Sequence, residues 1–167
     1  MECPVLRSRS PAETRRIGAR LGLLLQPGDV LLLQGELGSG KTVLAQGIGQ
    51  GLAVREPVKS SSFVLLNEDH GRLTVYHADL FRLDDPGQVA DLALEEVAAP
   101  GVLVVEWPDR ARDELPPEHL LVRIEEEGVS PEGRPSGRGR RLTFVPRGER
   151  YEELALLLTP RRRARRD

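Results

Sequence analysis

The chain uses 22 arginines and only two lysines, Lys41 and Lys59. Lys41 stands in Gly35-Glu36-Leu37-Gly38-Ser39-Gly40-Lys41-Thr42, which fits G-x-x-x-x-G-K-[ST], the P-loop pattern. Each fixed position has a mechanical reason. Glycines let backbone N–H groups turn inward and approach phosphate oxygens with no Cβ in the way. A helix starting here adds its unpaired N–H groups and its dipole. Lysine is a compact point charge that reaches between β- and γ-phosphates, where a planar guanidinium fits less well. Thr42 offers a hydroxyl for Mg2+ bound to those phosphates.

Chemistry at a phosphate also needs acids. Open α/β sheets place ligands beyond the C-terminal ends of their strands. Two carboxylates fall there: Asp79, after the strand expected over Leu73–His77, and Glu106, directly after Val102–Val105. An apolar strand ending in an acid has the Walker-B form, able to hold Mg2+ or orient an attacking water. Ser60-Ser61-Ser62 reads either as a switch-like loop giving a hydroxyl to Mg2+ or as a solvated turn. Trp107 is either a wall of the nucleotide site or a core aromatic at a strand end. His77 could orient Asp79, while His70 and His119 read as solvent-facing. No His/Cys/carboxylate spacing suggests zinc.

The elements must deliver these residues in order. Asp29–Gln34 is a short apolar run, read as a buried strand, and the segment from Val43 has near-helical apolar spacing weakened by its glycines. Ser10-Pro11 marks a helix start, with the helix running to about Leu25 before Pro27-Gly28. The serine cluster feeds a strand that should pair antiparallel with Leu73–His77. A short helical region punctuated by turns is expected from Asp84 to about Val97, and Val102–Val105 should be a central strand. Leu120–Glu125 and Arg141–Val145 alternate as a half-buried hairpin. The segment 126–140, with four Gly and two Pro, reads as a mobile loop. Residues 148–159 suit an amphipathic helix. The fold class is therefore α/β: one P-loop domain over residues 1–160, its mixed sheet mostly parallel at the centre, flanked by helices and edged by antiparallel hairpins. Residues 161–167 read as a basic disordered tail.

Bulk properties exclude other classes. With 24 basic and 26 acidic residues in 167, the net charge is −2, so no global field points to nucleic acid. One cysteine, Cys3, permits no internal disulfide and fits a reducing cytoplasm. No apolar stretch nears the ~20 residues of a membrane span, and the N-terminus lacks a signal pattern.

Four segments in this order, GELGSGKT, SSSFVLLNE, YHADLFRLDDP and VVEWPDR, resemble the bacterial tRNA threonylcarbamoyladenosine biosynthesis ATPases of the TsaE family, over about residues 10 to 145. The resemblance implies a small cytoplasmic ATPase using ATP and Mg2+. It implies work with the TsaB–TsaD pair, which installs threonylcarbamoyl on an adenosine next to the tRNA anticodon. By position, Gly35 to Thr42 would cradle ATP, with Lys41 on the phosphates. Thr42 would ligate Mg2+, and Glu106 would act in the Mg2+ shell or place the water. Asp79 would support the same region, with Trp107 beside it. The family usually has Ser-Pro-Thr-Phe at the serine cluster. Here Ser62 keeps a hydroxyl where Thr is expected, and the proline is missing. The alternatives are a small-molecule P-loop kinase, with Arg134, Arg138, Arg140 and Arg141 read as lid arginines, and a nucleotide-dependent scaffold without turnover. The terminal arginines read as a solvated tail or as a direct, salt-dependent tRNA contact. With Arg82 and Arg110 near the motifs but no evident arginine finger, hydrolysis should be slow without partners.

Overall fold

The computed structural model describes residues 3–56, 66–129 and 135–159. Lys59, the serine cluster with Ser62, Arg134 and the tail from 161 lie outside these residues. Among the described residues, no helix is long and apolar enough to cross a membrane.

Among the described residues, seven strands form one sheet: β1 (Val5–Ser8), β2 (Val30–Gln34), β3 (Leu66–Asp69), β4 (Val75–Asp79), β5 (Val102–Glu106), β6 (His119–Val129) and β7 (Pro135–Arg147). Their spatial order is β1-β7-β6-β2-β5-β4-β3. The four central strands β6, β2, β5 and β4 are parallel, and the outer pairings β1/β7, β6/β7 and β3/β4 are antiparallel. The fold is thus the expected mixed sheet with antiparallel edges.

The period of two in the strands sorts side chains between two cores. Leu31, Leu33, Val102 and Val104 face one core, beneath α1 (Pro11–Leu24), α2 (Lys41–Gly51) and α5 (Glu149–Leu158). Val30, Leu32, Leu103 and Val105 face the other, with α3 (Gly87–Leu92), α4 (Leu94–Ala98) and the 3-10 helix Pro108–Glu114. Because β2 and β5 are buried on both faces, they read in the sequence as unbroken apolar runs.

Helix α1 begins as its sequence directs. The Ser10 hydroxyl accepts from the Glu13 amide at 3.1 Å, and the Glu13 carboxylate accepts from the Arg9 amide at 2.7 Å, a near capping box. The glycines of α2 have a purpose that helix propensity hides. A Cβ on Gly47 would run into the Arg15 carbonyl oxygen, and one on Gly51 into that of Ala19. From the α1 side, a Cβ on Gly18 would lie 2.6 Å from the Leu44 carbonyl oxygen. The P-loop helix therefore meets α1 backbone to backbone. Gly47→Ala should destabilise by about 3 kcal/mol in urea unfolding, because overpacking outweighs the ~1 kcal/mol that alanine adds to an exposed helix. Unchanged stability would rule out the close seam.

The structure corrects one expectation, bears out another and adds a strand. Segment 126–140 is not simply a loop: residues 126–129 and 135–140 belong to β6 and β7, where Glu125 pairs in register with Arg141, Glu126 with Arg140 and Glu127 with Gly139. Opposed carboxylates and guanidiniums favour the strand pair that the glycines disfavour. The helical region 84–97 is punctuated as expected: it is two short helices, parted where Ala93 takes φ 46°. Strand β1 was not anticipated. It forms because the extended β7 offers it an edge, with Val5 opposite Thr143.

Candidate functional site

Strand β2 delivers the chain to Gly35, and the loop returns it to α2 at Lys41. Gly38 and Gly40 hold φ values of 77° and 109°, a region that glycine enters without steric cost. Gly35 is required for a different reason: a Cβ there would collide with Ser39 Oγ and stand 2.7 Å from the Ile124 carbonyl oxygen. The N-cap of α2 is Gly40, with no side-chain cap, so no N-cap side chain occupies the first amides of the helix. Ser39 Oγ is buried and finds no hydrogen-bond partner among the described residues. These features suit an anion seated in the loop. Alongside runs a cleft of about 540 Å³ lined by Gly35, Ser39, Trp107, Asp109, Ile124 and Glu126, among others.

Lys41 is only 6% exposed. Its Nζ donates to the carbonyl oxygens of Gly35 at 2.7 Å and Glu36 at 2.9 Å, and lies 4.2 Å from the centroid of the Trp107 ring. Burial lowers the pKa of this ammonium, and the negative charges of Glu106, Asp79 and Glu36 partly oppose that shift. Trp107 reaches the ammonium because the residue after β5 adopts φ 58°, ψ 51°, which turns the chain sharply at the strand end. Its other neighbour is Phe81, ring centroids 4.9 Å apart. Trp107 lines the cleft beside the loop and also packs against the second core, so each of its two readings has contacts behind it.

Both acids close their strands. Asp79 is the last residue of β4 and Glu106 the last of β5, and they are register partners. The period of two places Asp79, His77 and Glu106 on the sheet face that α2 covers. Phe81 donates its amide to Asp79 Oδ1 at 3.0 Å. Glu106 is 2% exposed, and His77 Nε2 donates to its Oε2 at 2.7 Å. His77 therefore orients Glu106, not Asp79 as its place in the sequence suggested: the register sets His77 beside Val104, two residues before Glu106. His77 Nδ1 is buried with no partner among the described residues.

Of the arginines read as a lid, Arg138, Arg140 and Arg141 lie in β7. Arg141 pairs with Glu125 at 2.6 Å. Sequence reasoning offered Arg140 only as a lid arginine and missed its contact with the P-loop: its Nε donates to the Ser39 carbonyl oxygen at 2.7 Å and its Nη2 to that of Gly38 at 3.3 Å. Only the three-dimensional return of β7 past the loop could reveal it.

The donor set beside the loop is a hydroxyl at Thr42 and carboxylates at Asp79 and Glu106, hard oxygens of the kind Mg2+ takes together with phosphate oxygens. Among the described residues, no group of three or more His, Cys, Asp or Glu forms a stand-alone metal cage. The donors therefore fit a cation that arrives with a phosphate ligand.

A family model described as threonylcarbamoyl adenosine biosynthesis protein TsaE matches residues 8–134. A Bacillus subtilis (strain 168) protein named tRNA threonylcarbamoyladenosine biosynthesis protein TsaE is 36% identical over 150 residues, 89% of this chain and 89% of that one. A Treponema pallidum (strain Nichols) protein of the same name is 44% identical over 110 residues, 65% of this chain and 82% of that one. The crystal structure of Bacillus subtilis YdiB matches with a TM-score of 0.76 at 32% identity, over 94% of both chains.

Proposed function

This chain belongs to the TsaE family, and from that premise we propose that it binds Mg-ATP in the P-loop and hydrolyses it slowly. We assign that turnover to threonylcarbamoyl modification of an adenosine in tRNA, in concert with the TsaB–TsaD pair. The observation that carries the reading is the setting of Lys41: a buried ammonium held on loop carbonyls, with Glu106 and Asp79 near enough to act on its charge.

In this reading the amides at the start of α2 and the Lys41 ammonium bind the β- and γ-phosphates. Lys41 exchanges two carbonyl contacts for phosphate oxygens as it does so. Thr42, Asp79 and Glu106 would hold Mg2+, whose charge would offset that of the phosphates. Glu106, steadied by His77, sets the direction in which a water meets the terminal phosphorus. Trp107 shields the ammonium from solvent on one side.

Two large apolar side chains lie exposed near the loop: Leu37 at its tip, 75% exposed, and Phe81 beside Trp107, 38% exposed. Exposed apolar surface at a site's mouth supports a partner that covers it. The test is phosphate release from Mg-ATP by the chain alone, then with TsaB–TsaD and tRNA. Turnover that is low alone and rises with the partners supports the reading. Equal turnover with and without them overturns the partner's role, and binding without turnover under any condition leaves a scaffold.

The contact between His77 and Glu106 carries a separate prediction. His77→Leu should slow phosphate release roughly 10- to 100-fold, the usual scale for removing a group that orients a catalytic one, while ADP affinity is largely kept. His77→Gln, which can still donate to Glu106, should recover part of the rate. Equal loss in both variants would mean that the histidine only fills space.

A further inference from the structure

The P-loop carbonyls are held by two cations from opposite directions. Lys41 takes Gly35 and Glu36 from within. Arg140 takes Gly38 and Ser39, and a third carbonyl, its own neighbour Gly139, at 3.0 Å. Its guanidinium also lies 3.7 Å from Glu126 across the β6–β7 ladder, and its side chain is 16% exposed. A Cβ built on Gly40 would meet Arg140 Nε at 4.0 Å, so the guanidinium backs directly onto the last glycine of the loop.

A trans peptide is planar, with its C=O and N–H pointing in opposite directions. Drawing the Ser39 carbonyl toward Arg140 therefore aims the Gly40 N–H the other way. The Ser39 N–H is already committed to the Glu36 carbonyl at 3.0 Å, which leaves the Gly40 amide as the one this contact directs. Lys41 cannot keep the loop in shape once it moves to a phosphate, because its two carbonyl bonds are then broken. Arg140 makes its bonds on the side away from the helix amides and need not release them. Hydrogen bonds from a charged donor are also about twice as strong as neutral ones.

We propose that Arg140 is a positioning residue for nucleotide binding, fixing the peptide planes of the P-loop so that its amides face a phosphate, with the ladder pair Glu126 fixing Arg140 in turn. This inference rests on the nucleotide-binding reading above. Arg140 lies beyond the residues 8–134 that the family model matches, so the contact is assigned from this chain's own geometry.

The test is ADP binding and ATP turnover by the wild-type protein, Arg140→Ala and Arg140→Lys. Arg140→Ala should bind ADP roughly tenfold more weakly, the scale of one charge-assisted bond. KM for ATP should rise in step, and the loss in affinity should exceed any loss in kcat. Millimolar guanidinium should restore affinity to Arg140→Ala while methylammonium does not. Arg140→Lys, which cannot bridge two carbonyls, should stay weakened, and it carries the test if the alanine variant fails to fold. ADP affinity within twofold of wild type in both variants would overturn the proposal. So would a fall in kcat at unchanged affinity, which would put Arg140 on the transferred phosphoryl group. If the wild-type protein itself binds no ADP, the nucleotide reading fails first, and the two failures are distinct.

Discussion

Glu106→Gln should bind metal-free ADP as the wild-type protein does and release phosphate roughly 100- to 10,000-fold more slowly, the usual range for losing a positioned acid–base group. The substitution keeps shape and volume. His77 Nε2, 2.7 Å from Glu106 Oε2, can donate to the amide oxygen as it does to the carboxylate. What disappears is the negative charge at the end of β5. The measurement is single-turnover phosphate release at saturating Mg-ATP, beside ADP titrations with and without Mg2+. Loss of rate with intact binding places Glu106 on the water. Loss of the Mg2+-dependent part of binding places it in the metal shell. A variant that turns over normally removes Glu106 from the chemistry and leaves Asp79, its register partner, as the acid to test.

Lys41→Ala should lose about 3 kcal/mol of phosphate binding, roughly a hundredfold in Kd for ADP, since an ammonium on a phosphate makes charge-assisted bonds. Titration calorimetry reads this directly. Unchanged affinity would mean that the loop does not hold phosphate. The wild-type protein should also show a step that the variant lacks. Phosphate binding needs the charged ammonium, and burial holds the Lys41 pKa below its ordinary 10.5. The neutral form therefore accumulates before that pH is reached. Affinity should fall with rising pH as it passes through the lowered pKa, and should be fully present below it. The residual affinity of Lys41→Ala should carry no such step.

The parts of the site that lie along one strand, loop or helix were legible in the sequence. The P-loop pattern, the apolar runs of β2 and β5 and the acids that end β4 and β5 are local signals, and Asp79 and Glu106 stand at the same level because parallel neighbours in register end together. What was hidden depends on register or on return of the chain. His77 pairs with Glu106 through a neighbouring strand 29 residues away. Arg140 reaches the loop 101 residues back, from a segment whose glycines and prolines signal a loop. The glycines of α2 looked like flaws in a helix until α1 was laid against them. The run Glu125-Glu126-Glu127 facing Gly139-Arg140-Arg141 was a readable clue to the longer hairpin, in charge instead of hydrophobicity.

Trp107 is the chain's single tryptophan, and the structure sets a positive charge 4.2 Å from the centre of its ring. An indole's emission responds to a charge held against its face. If Lys41 leaves for a phosphate, as the proposed function requires, that charge moves, and the chain's single tryptophan should register the change. The molecule would then carry a built-in optical gauge of its own occupancy, readable without a label.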